Sequence, residues 1–141
     1  MSDCILLALV KENKKVVDVS IELGTDHNQS SLKVFGFEPL EAKKYQSYDY
    51  FYALRDFRLD LEKYGLLIAC KGCLNNVYPS GMSAEMSQGL SAYEAVTDNP
   101  DSFVIVDIFD VVGGENFKNL TTVYSQKEYR RELINRVRQR I

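Results

Sequence analysis

Several groups of residues in this chain have types and spacings that could do chemistry. Cys70-Lys71-Gly72-Cys73 is a CxxC pair. Such a pair serves redox chemistry when a helix begins directly after the first cysteine and lowers its pKa. Here the pair closes a strand-like run and leads into LNNVYPSG, which reads as loop, so the helix is missing where the chemistry needs it. Tetrahedral zinc would need two further Cys or His ligands. Only Cys4 and His27 remain, neither at ligand spacing. The plainer reading is a buried strand residue at Cys70 and a partly exposed thiol at Cys73, both reduced. No metal and no cofactor is expected.

His27, the sole histidine, follows Asp26 in a polar segment, and no nucleophile-elbow pattern surrounds Ser30 or Ser31. A solvated loop histidine is the expectation, and no catalytic residue is assigned. Asp107 and Asp110 stand at a strand end, where paired carboxylates could hold Mg²⁺ or act as acid and base. Their i, i+3 spacing puts them on opposite faces of a regular strand, so a shared site requires the strand to break. Capping a turn is the competing role.

The loop Asn75 to Met82 mixes Asn, Tyr, Ser and Met, a composition suited to an adaptable binding surface. Asn76, Tyr78, Ser80 and Met82 are its candidate contact residues. The alternative has Pro79 and Gly81 set a turn while Tyr78 and Met82 join the core. Charge extends this candidate. Gly65 to Ser125 carries Glu85, Glu94, Asp98, Asp101, Asp107, Asp110 and Glu115 against only Lys71 and Lys118. Such a surface attracts basic partners and repels nucleic acid. The last stretch, Gln126 to Ile141, reverses the sign: Lys127, Arg130, Arg131, Arg136, Arg138 and Arg140 face only Glu128 and Glu132. A basic helix there could bind RNA or an anionic membrane. Its stripe of Tyr129, Leu133, Val137 and Ile141 favours docking onto the acidic body instead.

The elements that must position these groups follow from periodicity. Cys4 to Val10 is a continuous apolar run, the mark of a strand buried on both faces. Val17, Val19, Ile21 and Leu23 alternate with polar residues, and Gly24 to Ser30 reads as a polar loop before a third strand, Leu32 to Phe37. Leu54, Phe57, Leu61 and Tyr64 share one face of a helix over Tyr48 to Tyr64, with Gly65 as its stop. Leu66 to Cys70 is a short strand, and Lys71 to Gly81 a loop. Ser83 caps a second helix over Ala84 to Val96, where Gly89 would let another backbone come close. Phe103 to Phe109 is a strand, and Ser125 with Glu128 forms a capping box for the last helix.

The expected fold is α+β, a single domain over residues 1–141. A mixed sheet of four to five strands, opened by an antiparallel meander, is covered by about three helices in the order β-β-β-α-β-α-β-α. The chain has 141 residues, 45% of them hydrophobic, including 9 Tyr and 7 Phe, which suffices for one core without disulfides. Asp3 stands where a signal peptide would be basic, and no run reaches the roughly 20 apolar residues of a membrane helix. A cytoplasmic protein with no membrane partner is the expectation.

The segments GLLIACKGCLNNVYPSGMSAEMSQGLSAYEAV and VDIFD resemble a pattern of immunity proteins from contact-dependent growth inhibition and other polymorphic toxin systems. The matching residues are Asn76 to Met82, Met86, Gly89, Ala92, Tyr93 and Val106 to Asp110, within about a third of the chain. The resemblance implies a bacterial protein that is not an enzyme. It implies a partner, the toxic C-terminal domain of a cognate effector, whose active site the protein blocks. Such toxins are often basic nucleases that attack tRNA or DNA, and an acidic surface suits them. Two other functions stay in view: a small cytosolic enzyme using Cys70/Cys73 or Asp107/Asp110, and an RNA-binding regulatory module using the last helix.

Overall fold

The computed structural model describes residues 3–79, 87–96 and 102–139. Strands β1 (Asp3–Lys11), β2 (Lys14–Asp26) and β3 (Gln29–Phe35) form the expected meander. Both hairpins turn on residue pairs with positive φ: Glu12 at 53° and Asn13 at 64°, then His27 at 48° and Asn28 at 65°. Two consecutive left-handed residues give a turn whose twist matches a hairpin. Asn and His accept that conformation more readily than most side chains. These tight turns lengthen the strands, so the polar segment Gly24 to Ser30 is mostly strand rather than the loop its composition suggests. Polar side chains are tolerated there because Gly24 to Gln29 forms the half-solvated hairpin tip.

Strand β4 (Lys44–Ser47) adds to β3, and β5 (Leu67–Ile68) adds to the far side of β1. The sheet order is β4-β3-β2-β1-β5, and every pairing is antiparallel. That corrects the expectation of a mixed sheet. Neighbours joined by short turns pair antiparallel, whereas parallel pairing needs a long crossover. The polar KYQS of β4 escapes sequence patterning because only Tyr45 is buried there. Within β1, Leu7, Leu9 and Val10 are buried, but Leu6 is 65% exposed. The strand is thus covered on one face in its first half, not on both.

Helix α1 (Tyr50–Glu62) lies against this sheet. Asp49 accepts the Tyr52 N–H at 2.9 Å as its N-cap. The helix ends with Gly65 at φ +72°, whose N–H returns to Glu62 O while Leu66 N–H returns to Leu61 O. That pair of bonds is a Schellman ending, and glycine fits its left-handed position. Leu54, Phe57 and Leu61 pack with Leu7, Leu9, Val19, Ile21, Leu32 and Val34 into one core. Burying each such side chain contributes about 1.5–3 kcal/mol.

A second sheet holds β6 (Val77–Pro79), β7 (Ser91–Ala95) and β8 (Phe103–Asp107), in the order β6-β7-β8 and again antiparallel. It overturns the helix expected over Ala84–Val96, since Ser91–Ala95 is the central strand; Ser83 to Met86 lie outside the described residues. Five residues such as SAYEA are too few to separate a helical from a strand period. Gly89, at φ +80°, belongs to the turn before β7, where an added Cβ would sit 2.6 Å from Asp49 Cγ. What comes close to Gly89 is the Asp49 side chain at this turn, not the second backbone expected along a helix.

The last helix, α2, runs Val123–Gln139. Its start corrects the Ser125–Glu128 capping box. Thr122 Oγ1 accepts the Ser125 N–H at 3.2 Å, and Glu62 Oε2 accepts the Val123 N–H at 3.0 Å. Glu128 instead pairs with Arg131 at 3.1 Å. No helix among the described residues is long and apolar enough to cross a membrane.

Candidate partner-binding face

The segment from Cys70 to Pro79 links the two sheets, and two buried polar side chains hold it. Arg58 on α1 donates to Gly72 O at 3.1 Å, to Thr121 O at 3.0 Å and to Gln126 Oε1 at 2.7 Å. Gln126 on α2 turns its amide nitrogen to Gly72 O, Leu74 O and Val77 O at 2.9, 2.8 and 3.1 Å. A buried carbonyl without a donor is costly. These two side chains therefore fix the path of the loop that leads to Asn76 and Tyr78. Sequence reasoning missed both. The available signal was Arg58 itself, a charge set inside the Leu54, Phe57, Leu61 stripe.

The CxxC pair lies beneath this latch. Cys70 begins a single 3-10 turn, Lys71–Cys73, so one short turn stands where redox chemistry would use a full helix. The thiols are 3.8 Å apart. Cys70 is 0% and Cys73 1% exposed, so the expectation of a partly exposed Cys73 is corrected. The turn folds Cys73 inward against the core. The hydrogen bond to Cys73, with burial, holds the Cys70 thiol well above its ordinary range. Among the described residues, no group of three or more His, Cys, Asp or Glu could hold a metal. His27 sits apart at its hairpin tip, with a 92% exposed side chain 3.3 Å from Asp26.

Asn76 precedes β6 and Tyr78 is its middle residue, and the two make different contacts. Asn76 donates to Ala95 O at 2.6 Å and lines a polar cleft of about 470 Å³. Lys71 crosses that cleft to Glu94 at 2.9 Å, which neutralises one of the central acids. Tyr78 lies on the outer face of the second sheet, its ring centroid 5.6 Å from Tyr93, and Tyr93 is 4.4 Å from Phe103. The row continues to Ile105, the cross-strand neighbour of Tyr93. Phe103, Val104 and Ile105 are 43%, 46% and 67% exposed. Their strand, β8, pairs on one side only among the described residues.

Of the central acids, Asp107 lies on the same strand as this row, two residues past Ile105. Asp107 ends β8, and its carboxylate accepts the Phe109 N–H at 2.8 Å, so it caps the turn. Asp110 is in the same turn, its N–H bonded to Asp107 O at 3.0 Å. Both are exposed, as is Glu115 in the 3-10 segment Gly114–Asn119. Ser80, Met82, Glu85, Asp98 and Asp101 lie outside the described residues.

The basic helix docks through Val123, Gln126 and Leu133, buried to 5%, 7% and 5% exposure. That confirms docking but shifts the face. Tyr129 is 38% exposed, so the contacting row runs through residues 123, 126, 130 and 133. Among the described residues, no cation of this helix pairs with a carboxylate outside it. Arg130 sits over Tyr78, its guanidinium carbon 3.8 Å from the ring centre. No protein-family model matches the chain, and no curated protein matches it.

Proposed function

We propose that this chain is an immunity protein of the bacterial cytoplasm. It binds a basic toxin domain, of the nuclease kind delivered by contact-dependent or related polymorphic toxin systems, and covers that domain's active site. The observation that carries the reading is the outer face of β6-β7-β8, a row of Tyr78, Tyr93, Phe103 and Ile105 with exposed Asp107 on the same strand as Ile105, and exposed Asp110 and Glu115 in the segments that follow. Exposed large apolar side chains in one row suit the centre of a protein interface, where a few anchors carry most of the binding energy. Carboxylates at its border suit a cationic partner by steering its approach. The segment resemblance adds the class of partner.

The test is binding to, and protection against, a cognate toxin domain sought among the neighbouring genes. Ile105→Glu should weaken binding by roughly thirtyfold or more, the worth of one interface anchor, and abolish protection. Because Ile105 is 67% exposed, the melting temperature should not move. Asp110→Lys with Glu115→Lys should slow association and flatten its salt dependence. Wild-type affinity in the Ile105 variant would place the interface elsewhere.

A further inference from the structure

A second cleft, of about 290 Å³, opens between α1, β6 and α2. Its apolar side is Phe51, Val77, Pro79 and Val123; its polar side is Arg55, Lys127 and Arg130. Each arginine lies on a tyrosine. The Arg55 guanidinium carbon is 4.7 Å from the Tyr52 ring centre, and that of Arg130 is 3.8 Å from the Tyr78 ring centre. Stacking fixes the plane of a guanidinium while leaving its N–H edge free to fork onto an anion.

Among the described residues Arg130 and Lys127 have no ion pair, and Arg55 makes one long pair, to Asp56 at 3.7 Å. The Nε of Arg55 is buried and has no hydrogen-bond partner among the described residues. A buried, unsatisfied donor in a native fold calls for an explanation, and an acceptor brought by a ligand is one.

We propose that this cleft binds a small aromatic anion, a flat ring carrying one carboxylate or phosphate. The ring occupies the apolar side and stacks on the guanidinium planes. The anionic head receives the N–H groups of Arg55 and Arg130, with Lys127 adding charge. The volume admits one ring with its head group, not a long chain. The site touches the proposed toxin-binding face at Tyr78, yet does not depend on it.

Phenyl phosphate, benzoate, inorganic phosphate and phenol, each titrated against the full chain and followed by NMR, test this. One of the two aryl anions should saturate a single site at millimolar concentration or below, and which one wins identifies the head group. Inorganic phosphate and phenol should each bind at least roughly tenfold more weakly, since each lacks half of the ligand. Arg55→Lys and Arg130→Lys keep the charge but lose the flat fork, and each should weaken binding by roughly tenfold. Neither side chain is in the core, so the folds should survive, and the ligand series decides on wild-type protein alone if one does not. No saturation by either aryl anion, equal binding of inorganic phosphate, or unchanged affinity in both variants would overturn the proposal. So would a single-stranded RNA that displaces the aryl anion and needs the same arginines, because the occupant would then be nucleic acid.

Discussion

Arg58 is 3% exposed, and none of its three hydrogen bonds goes to a carboxylate. Oxygen dipoles are what its hydrogen bonds offer the charge, which makes each of those bonds matter. Arg58→Met fills the same space but leaves Gly72 O, Thr121 O and Gln126 Oε1 without that donor. Urea denaturation should show a loss of roughly 2–4 kcal/mol, and a change below about 0.5 kcal/mol would mean that water replaces the guanidinium. Asp60 offers a contrasting case. It accepts from Lys43, from Tyr45 Oη at 2.7 Å and from Lys63 at 3.2 Å. The Lys43 bond leads in holding its pKa down at about 2 from the usual 3.8. The folded state therefore binds the proton less tightly than the unfolded chain. The stabilisation is complete above about pH 4 and is lost as the pH falls toward 2. Stability measured against pH should drop across that window in the wild type and drop less in Asp60→Asn. Asp49 works in the opposite direction, because burial raises its pKa and its ionised form costs stability.

Among the elements, those with an unambiguous period or punctuation were legible in the sequence. Alternation in β2 and the 3–4 spacing of Leu54, Phe57 and Leu61 placed the meander and α1, and Gly65 placed the helix end. What failed had short-range causes. Ser91 to Ala95 was too brief for its period to be read, and Gly89 looked like a flaw in a helix rather than a turn before a strand. The candidate site divided along the same line. Asp107 and Tyr78 were found from their types, whereas Gln126 could not be, because its value lies in carbonyls about fifty residues distant. The corrected helix start gives a direct check. Thr122→Ala should cost about 1 kcal/mol, the usual worth of an N-cap, while Ser125→Ala, which loses only an exposed hydroxyl, should stay within about 0.5 kcal/mol. Thermal melts of the two variants would reverse in order if the capping box at Ser125 and Glu128 operated instead.

For the molecule as a whole, α2 is the clasp that joins the second sheet to the first. Leu133, 5% exposed, is its distal apolar contact, and Leu133→Ala should cost roughly 2–4 kcal/mol through lost burial and the cavity left behind. Arg138→Gln, on the exposed side, should change stability by less than about 0.5 kcal/mol. Equal melting temperatures for the two variants would mean that the helix end is not docked. The three Gln126 bonds span 49, 52 and 54 residues, whereas β1, β2 and β3 are joined by two-residue turns. Contacts between near neighbours form first, and distant ones wait for loop closure. Ribosomes emit about 5–20 residues per second from the N-terminus onward. On a nascent chain the meander is therefore complete for seconds before α2 exists, while the strands carrying Tyr78 and Tyr93 remain unclasped. Translation itself sets a delay between the first folded residues and the first fully clasped molecule, and a ribosome stalled before Gln126 would leave a chain whose second sheet has no clasp.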